Sequence, residues 1–149
     1  MYAAILTCSD IQFSLNWLSQ YMSDSAEYHS SALKTLLHYV RSMINLSIVF
    51  RGNRSSESLN LMTYSDSDYA ANKLNQKSIL GYTLKLTDAS IVWMSWKQAS
   101  VAMFTTEAKY MALFTCMKEC LWIIQLLRDM NLIKYLEDPL NQVWYQREL

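Results

Sequence analysis

Between positions 10 and 22 the apolar residues Ile11, Phe13, Leu15, Trp17, Leu18, Tyr21 and Met22 fall broadly on one helical stripe, with Asp10 where an N-cap would sit. This predicts a first helix. A second is predicted from about Asp24, with Glu27 at capping-box spacing and Ala32, Leu33, Leu36, Leu37 and Val40 as its buried stripe. The β-branched run Ile48, Val49, Phe50 reads as a short strand, and positions 51–60, with Gly, Asn and Ser, read as an exposed loop or linker. Beyond it the period changes from helical to strand-like. Leu61 to Tyr69, Ile79 to Leu86 and Ile91 to Trp96 are predicted strands, separated by polar turns at 72–77 and 87–90, and such short connections make an antiparallel meander. After Thr105, a residue suited to capping, the chain runs from Glu107 to Met130 without Gly or Pro and predicts one long helix. Its apolar positions 113, 117, 120, 124 and 127, with 108, 112, 116 and 123 on an adjoining arc, make a wide stripe. A helix this apolar needs a layer to cover it, and the meander is the available one, which predicts an α/β fold. Pro139 closes the region, and Val143 to Tyr145 reads as the start of a fourth strand.

Composition narrows the possibilities. A chain of 149 residues with 52% hydrophobic residues can fill a core, and only 2 Gly and 1 Pro leave few places to punctuate long elements. Lys plus Arg and Asp plus Glu both total 13, so the zero net charge lacks the basic footprint of an avid stand-alone nucleic-acid binder. Bound divalent cations would supply positive charge locally where side chains do not. Cys8, Cys116 and Cys120 form no CxxC pair, which argues against a disulfide framework and for a reducing compartment. Cys116 and Cys120 lie one helical turn apart, where packing as small apolar residues outweighs a metal site. No apolar run approaches the ~20 residues of a membrane span, and no secretory signal opens the chain. An intracellular protein, cytoplasmic or nuclear and not secreted, is expected, with no membrane partner.

Two acids carry the candidate chemistry. In Thr63-Tyr64-Ser65-Asp66-Ser67-Asp68-Tyr69, strand alternation sets Asp66 and Asp68 on one face with Tyr64. Two acids on one face are costly unless solvated, paired or metal-bound, and a solvated strand end is the plain explanation. Glu107, in the first turn of the long helix, is explained equally well by the positive helix end. A helix packed across a meander can bring its N-terminal turn near the first strand, so that Asp66 and Glu107 share a divalent ion. His29 and His38, nine residues apart in a helical segment, point to nearly opposite sides, and packing or surface roles suit them better than catalysis. Tyr64, Trp93 and Trp96 offer stacking surfaces, although sheet packing accounts for them.

These same residues carry a resemblance. Thr63 to Ala71 looks like YSDADWAG, Lys77-Ser78-Ile79-Leu80-Gly81-Tyr82 resembles RKSTSGY, and Val92 to Gln98 resembles ISWKSKKQ. Ala102 to Tyr110 resembles VALSTTEAEY, and Lys118-Glu119-Cys120-Leu121-Trp122 follows as KEALW. Their order and spacing are similar to the ribonuclease H domain of copia-type retrotransposon polyproteins. Upstream, Met1-Tyr2, Asp10-Ile11, Leu18-Ser19-Gln20-Tyr21, His29 and Leu37-His38-Tyr39-Val40 resemble the segment joining reverse transcriptase to ribonuclease H. The resemblance implies a helical reverse transcriptase or connection remnant over 1–52, a linker over 53–60, and a partial, C-terminally truncated ribonuclease H-like domain over 61–149.

It also implies hydrolysis of RNA in RNA:DNA hybrids by a two-metal mechanism, with Mg²⁺ or Mn²⁺ held by four acids. Two carry over, Asp66 and Glu107, as catalytic and metal ligands. Trp144-Tyr145-Gln146-Arg147 sets Gln146 where the third acid belongs, Asp138 matches only if the alignment slips, and the fourth lies beyond Leu149. Weak metal binding and little or no nuclease activity are expected. The alternative is a non-catalytic decayed element, or a remnant that binds nucleic acid or protein. An uncovered sheet edge and helix face are also expected.

Overall fold

The computed structural model describes residues 6–50, 58–73, 75–137 and 143–145, the last three as backbone only. It forms two compact units that meet in sequence between Val49 and Phe50.

In the first unit a 3₁₀ turn at Ser9–Ile11 leads into α1 (Gln12–Ser19), followed by α2 (Glu27–Ser42). α1 is shorter than the predicted span. Asp10 does not cap it but lies in the 3₁₀ turn, where it accepts a hydrogen bond from the Tyr39 hydroxyl at 2.7 Å. α2 starts later than expected, and the reach-back contact at its start comes from histidine: the Ala26 N–H donates to His29 Nδ1 at 2.9 Å. The predicted stripe of α2 is not buried. Ala32 and Leu36 are half-covered while Leu33, Leu37 and Val40 are exposed, because a helix buries a stripe only against a second layer and α1 is two turns long. What packs is an aromatic knot, with Tyr21 stacked on His29 at 4.1 Å and Trp17 edge-on to Tyr28 at 5.8 Å. Ile48, Val49 and Phe50, expected as a strand, are in none; a run of three residues gains nothing from extension without an edge to pair with.

The second unit contains β1 (Leu61–Asp68), β2 (Ile79–Leu86), β3 (Ala89–Lys97), α3 (Thr105–Asp129) and β4 (Val143–Tyr145). β1, β2 and β3 form the expected antiparallel meander, and β4 adds to its other side parallel to β1, giving the order β3-β2-β1-β4. The two-residue turn Thr87–Asp88 is tighter than the predicted one, so β3 begins earlier. It holds Thr87 at φ 58°, a left-handed backbone that a β-branched residue resists. The chain following α3 returns to the start of the sheet, where Glu137 N–H donates to the Leu59 carbonyl at 2.8 Å.

β1 obeys the period of two. Leu61, Thr63, Ser65 and Ser67 are buried on one face, while Asp66 and Asp68 are exposed on the other. The buried face joins Leu80, Tyr82 and Leu84 of β2 under α3, whose Ala112, Cys116, Cys120, Ile123, Ile124 and Leu127 complete the core. The arc through 108, 112, 116 and 123 is therefore the centre of the helix's buried face, and Leu113 and Met117 are only half-covered. Side-chain size explains the choice: alanine and cysteine let the helix lie close, with Cys116 Sγ 4.0 Å from the Tyr64 carbonyl.

α3 lies across β1 and β2. On its side of the sheet Trp96, opposite Leu80 in the ladder, stays 54% exposed, and on the helix's own outer face Phe114 is 68% and Trp122 58% exposed. By length and composition alone α3 would suffice to cross a bilayer, but its most buried residues are those against the sheet.

Candidate functional site

Where β1 ends beside the first turns of α3, Asp66, Ser67, Asp68, Tyr69, Thr105 and Lys109 line an open polar hollow of about 390 Å³. Three contacts fix its walls. The Tyr69 hydroxyl donates to the Met103 carbonyl at 3.0 Å, tying the end of β1 to the approach to α3. Gln98, buried just after β3, donates from its side-chain nitrogen to the Ala108 carbonyl at 2.8 Å and from its backbone N–H to the Ser78 carbonyl at 2.8 Å. Ser78 in turn accepts from the Ala70 N–H at 3.2 Å through its hydroxyl. Sheet and helix are thus joined by amide and hydroxyl groups at the end where the hollow opens, and by apolar packing elsewhere.

Of the two acids singled out by sequence, Asp66 is exposed at the hollow and Glu107 is not among its lining residues. The Glu107 carboxylate instead accepts from the Met103 backbone N–H at 2.6 Å. Phe104 occupies the N-cap position in extended conformation and Thr105 is the first helical residue, so Thr105 does not cap the helix, and Glu107 reaches back past Phe104 to the residue before it. Two residues further along a helix is a turn of about 200°, which is why Thr105 and Lys109 share the face toward β1 and Glu107 does not.

A Mg²⁺-type ion takes six oxygens and is held by carboxylates, and a two-ion site needs several of them. Among the described residues no three of His, Cys, Asp and Glu are grouped as metal ligands. The hollow offers two carboxylates and a lysine, and this donor set does not fit a two-metal centre. Cys116 and Cys120 lie in the core: burial pushes Cys116 up to about 11 and raises Cys120, holding both as thiols, not as the thiolates that bind metal. Burial, with Glu119 and Cys116 adding to it, pushes the Tyr82 hydroxyl up to about 12.

Known proteins similar to this chain include an effector and retrotransposon polyproteins. The chain is 34% identical over 123 residues to a secreted RxLR effector protein 161 from Plasmopara viticola, covering 83% of this chain and 84% of that protein. It is 33% identical over 132 residues to the retrovirus-related Pol polyprotein from transposon TNT 1-94 of Nicotiana tabacum, and 35% over 126 residues to that from transposon RE1 of Arabidopsis thaliana. The chain belongs to the retrotransposon Pol polyprotein family. It spans 10% and 8% of those two polyproteins' lengths, while they cover 89% and 85% of it. No family model and no solved structure matches the chain.

The other candidate residues of this Pol segment are accounted for locally. His29 closes the start of α2 and stacks on Tyr21, and His38 is exposed on the same helix. Tyr64 lies half-buried on the open face of β1 with the Lys85 ammonium 5.8 Å from its ring, Trp93 is half-buried and Trp96 exposed on β3. Asp138 and Gln146 lie outside the described residues. Lys109 and Gln98 were missed as parts of the site. Their signals were present, since Lys109 stands one turn after Thr105 and a glutamine directly follows an alternating strand, but only the packing of α3 gives them a role.

Proposed function

We propose that this chain is a segment of a copia-type retrotransposon polyprotein reaching from the end of reverse transcriptase into ribonuclease H, and that it is not a nuclease by itself. Its second unit is read as the front part of a ribonuclease H-like domain. The strand order β3-β2-β1-β4 with β4 parallel to β1, and a long helix whose first turn borders the Asp66 end of β1, support that reading. The observation that carries the loss of activity is the Glu107 carboxylate on the Met103 amide, which leaves Asp66 with Asp68 and Lys109 at the hollow.

On this reading Mg²⁺ or Mn²⁺ binds weakly, and an RNA:DNA hybrid is met by shape and surface without being cut. Removing catalytic groups from a cooperative site takes away most of its rate. The relative named as an effector, of which this chain spans 84%, supports the view that such a segment persists outside a full polyprotein. The proposed place of action is inside the cell.

The test is incubation of the full chain with an end-labelled RNA:DNA hybrid in Mg²⁺ and in Mn²⁺, beside Asp66→Asn. We expect no hydrolysis above the protein-free control from either. Cleavage by the wild-type chain that Asp66→Asn abolishes would overturn the proposal.

A further inference from the structure

We propose that β3 is an interface through which two copies of the chain join edge to edge, strand against antiparallel strand, with a two-fold axis at Met94. In the second unit β3 ends the order β3-β2-β1-β4, so among the described residues it pairs on one side only.

Which backbone groups of β3 face outward follows from its register. The Gln98 N–H donates to the Ser78 carbonyl, in phase with the pairs Leu80–Trp96, Tyr82–Met94 and Leu84–Val92, so these are the pairs that exchange both N–H···O bonds between β2 and β3. Ile91, Trp93 and Ser95 alternate with them and turn their N–H and C=O groups to the free edge. None of the other backbone hydrogen bonds of the described residues uses these groups. Natural sheets shield such an edge with a short strand, a charge, a proline or a bulge. β3 is 9 residues long, has no proline and no charge before Lys97, and its bulge lies near its start, opposite Leu84 and Lys85. On the α3 side of the sheet, Met94 is 37% and Trp96 54% exposed along this edge.

The edge is complementary to itself. With Met94 facing Met94 of the second copy, Trp93 meets Ser95 of the second copy as a hydrogen-bonded pair, and Ser95 meets Trp93 in the same way, so their outward N–H and C=O groups find partners. Trp96 then lies opposite Val92 of the second copy, an aromatic against a β-branched side chain, which is a stabilising cross-strand pair. Lys97 falls opposite Ile91 of the second copy, so the strand's one charge does not meet itself. The formal net charge of the chain is zero, and no long-range repulsion keeps two copies apart. Because the same patch serves both copies, the pairing closes at two.

The experiment measures the mass of the full-length chain by size exclusion with light scattering as its concentration is raised. We expect the wild type to double in mass. Ser95→Pro removes an N–H that the sheet of one copy does not use, so it should stay a monomer with the wild-type circular dichroism. The register is read by mild oxidation in a Cys8→Ser background, which removes the partly exposed thiol and leaves the buried Cys116 and Cys120. Residues that face each other across the axis lie about 4.5 Å apart at Cα, within disulfide reach, and residues two places off the axis do not. Met94→Cys should therefore form a covalent dimer and Trp96→Cys should not. If Ser95→Pro is poorly folded, the two cysteine variants decide alone. A wild type that remains monomeric, a folded Ser95→Pro that still dimerises, growth beyond two chains, or Trp96→Cys linking as readily as Met94→Cys overturns the proposal.

Discussion

Replacing Gln98 with alanine removes a buried side chain that hydrogen-bonds the end of β3 to the first turns of α3. The residue is 2% exposed, so its loss leaves a gap that the surrounding backbone closes only in part. Deleting the bond from Nε2 to the Ala108 carbonyl costs about 1 kcal/mol net, since that carbonyl keeps its place in the helical ladder. The vacated volume adds roughly 1 to 2 kcal/mol. Against this, Gln98 Oε1 is buried with no hydrogen-bond partner among the described residues, and removing an unsatisfied acceptor returns on the order of 1 kcal/mol. The net expectation for Gln98→Ala is a loss of about 1.5 kcal/mol. Urea unfolding followed by the fluorescence of Trp93, Trp96 and Trp122 measures it as a shift in midpoint at unchanged slope. Gln98→Leu fills the volume and carries no orphan oxygen, so it should lie within about 1 kcal/mol of wild type. Gln98→Ala indistinguishable from wild type, or Gln98→Leu worse than Gln98→Ala, would refute this division of the energy.

Three further outcomes are expected. Because burial raises Cys116 from 9.0 to about 11 and Tyr82 from 10.0 to about 12, both fold as neutral groups, and the unfolded chain loses their protons first. Their stability contribution is full below pH 9 and falls as pH rises from there toward 12, so urea midpoints should drop across that window, and Cys116→Ala should remove the part that begins at pH 9. Thr87→Gly relieves the left-handed backbone at the β2–β3 turn and should stabilise the second unit by about 0.5 to 1 kcal/mol in the same assay. Glu107→Ala removes the contact to the Met103 amide and should cost about 1 kcal/mol, a purely structural loss that thermal unfolding by circular dichroism would detect.

The second unit was largely legible in sequence. Ile79 to Leu86 is bounded by polar turns and alternates from Leu80 onward, and the observed strand has those bounds; the run without Gly or Pro after position 105 is one helix, and Val143 to Tyr145 is a strand. The orientation of α3 was harder to read, because its apolar residues fill more than one arc and the small ones at 108, 112, 116 and 120 win by allowing close approach. The first unit was read less well. Leu33, Leu37 and Val40 have helical spacing, but burial needs a covering layer that periodicity cannot supply. At the site, alternation showed that Asp66 and Asp68 share an exposed face, while the choice of Asp66 rested on the resemblance. The direction of Glu107 was not, since a first-turn acid can serve its own helix or a neighbouring strand, and only the position of the Met103 amide distinguishes the two.

The most direct test of the central claim is a crystal structure of the full chain soaked in Mn²⁺, read by anomalous scattering. The account predicts the Glu107 carboxylate on the Met103 amide and no manganese ion held jointly by Asp66 and Glu107. A manganese ion bridging Asp66 and Glu107 would contradict it.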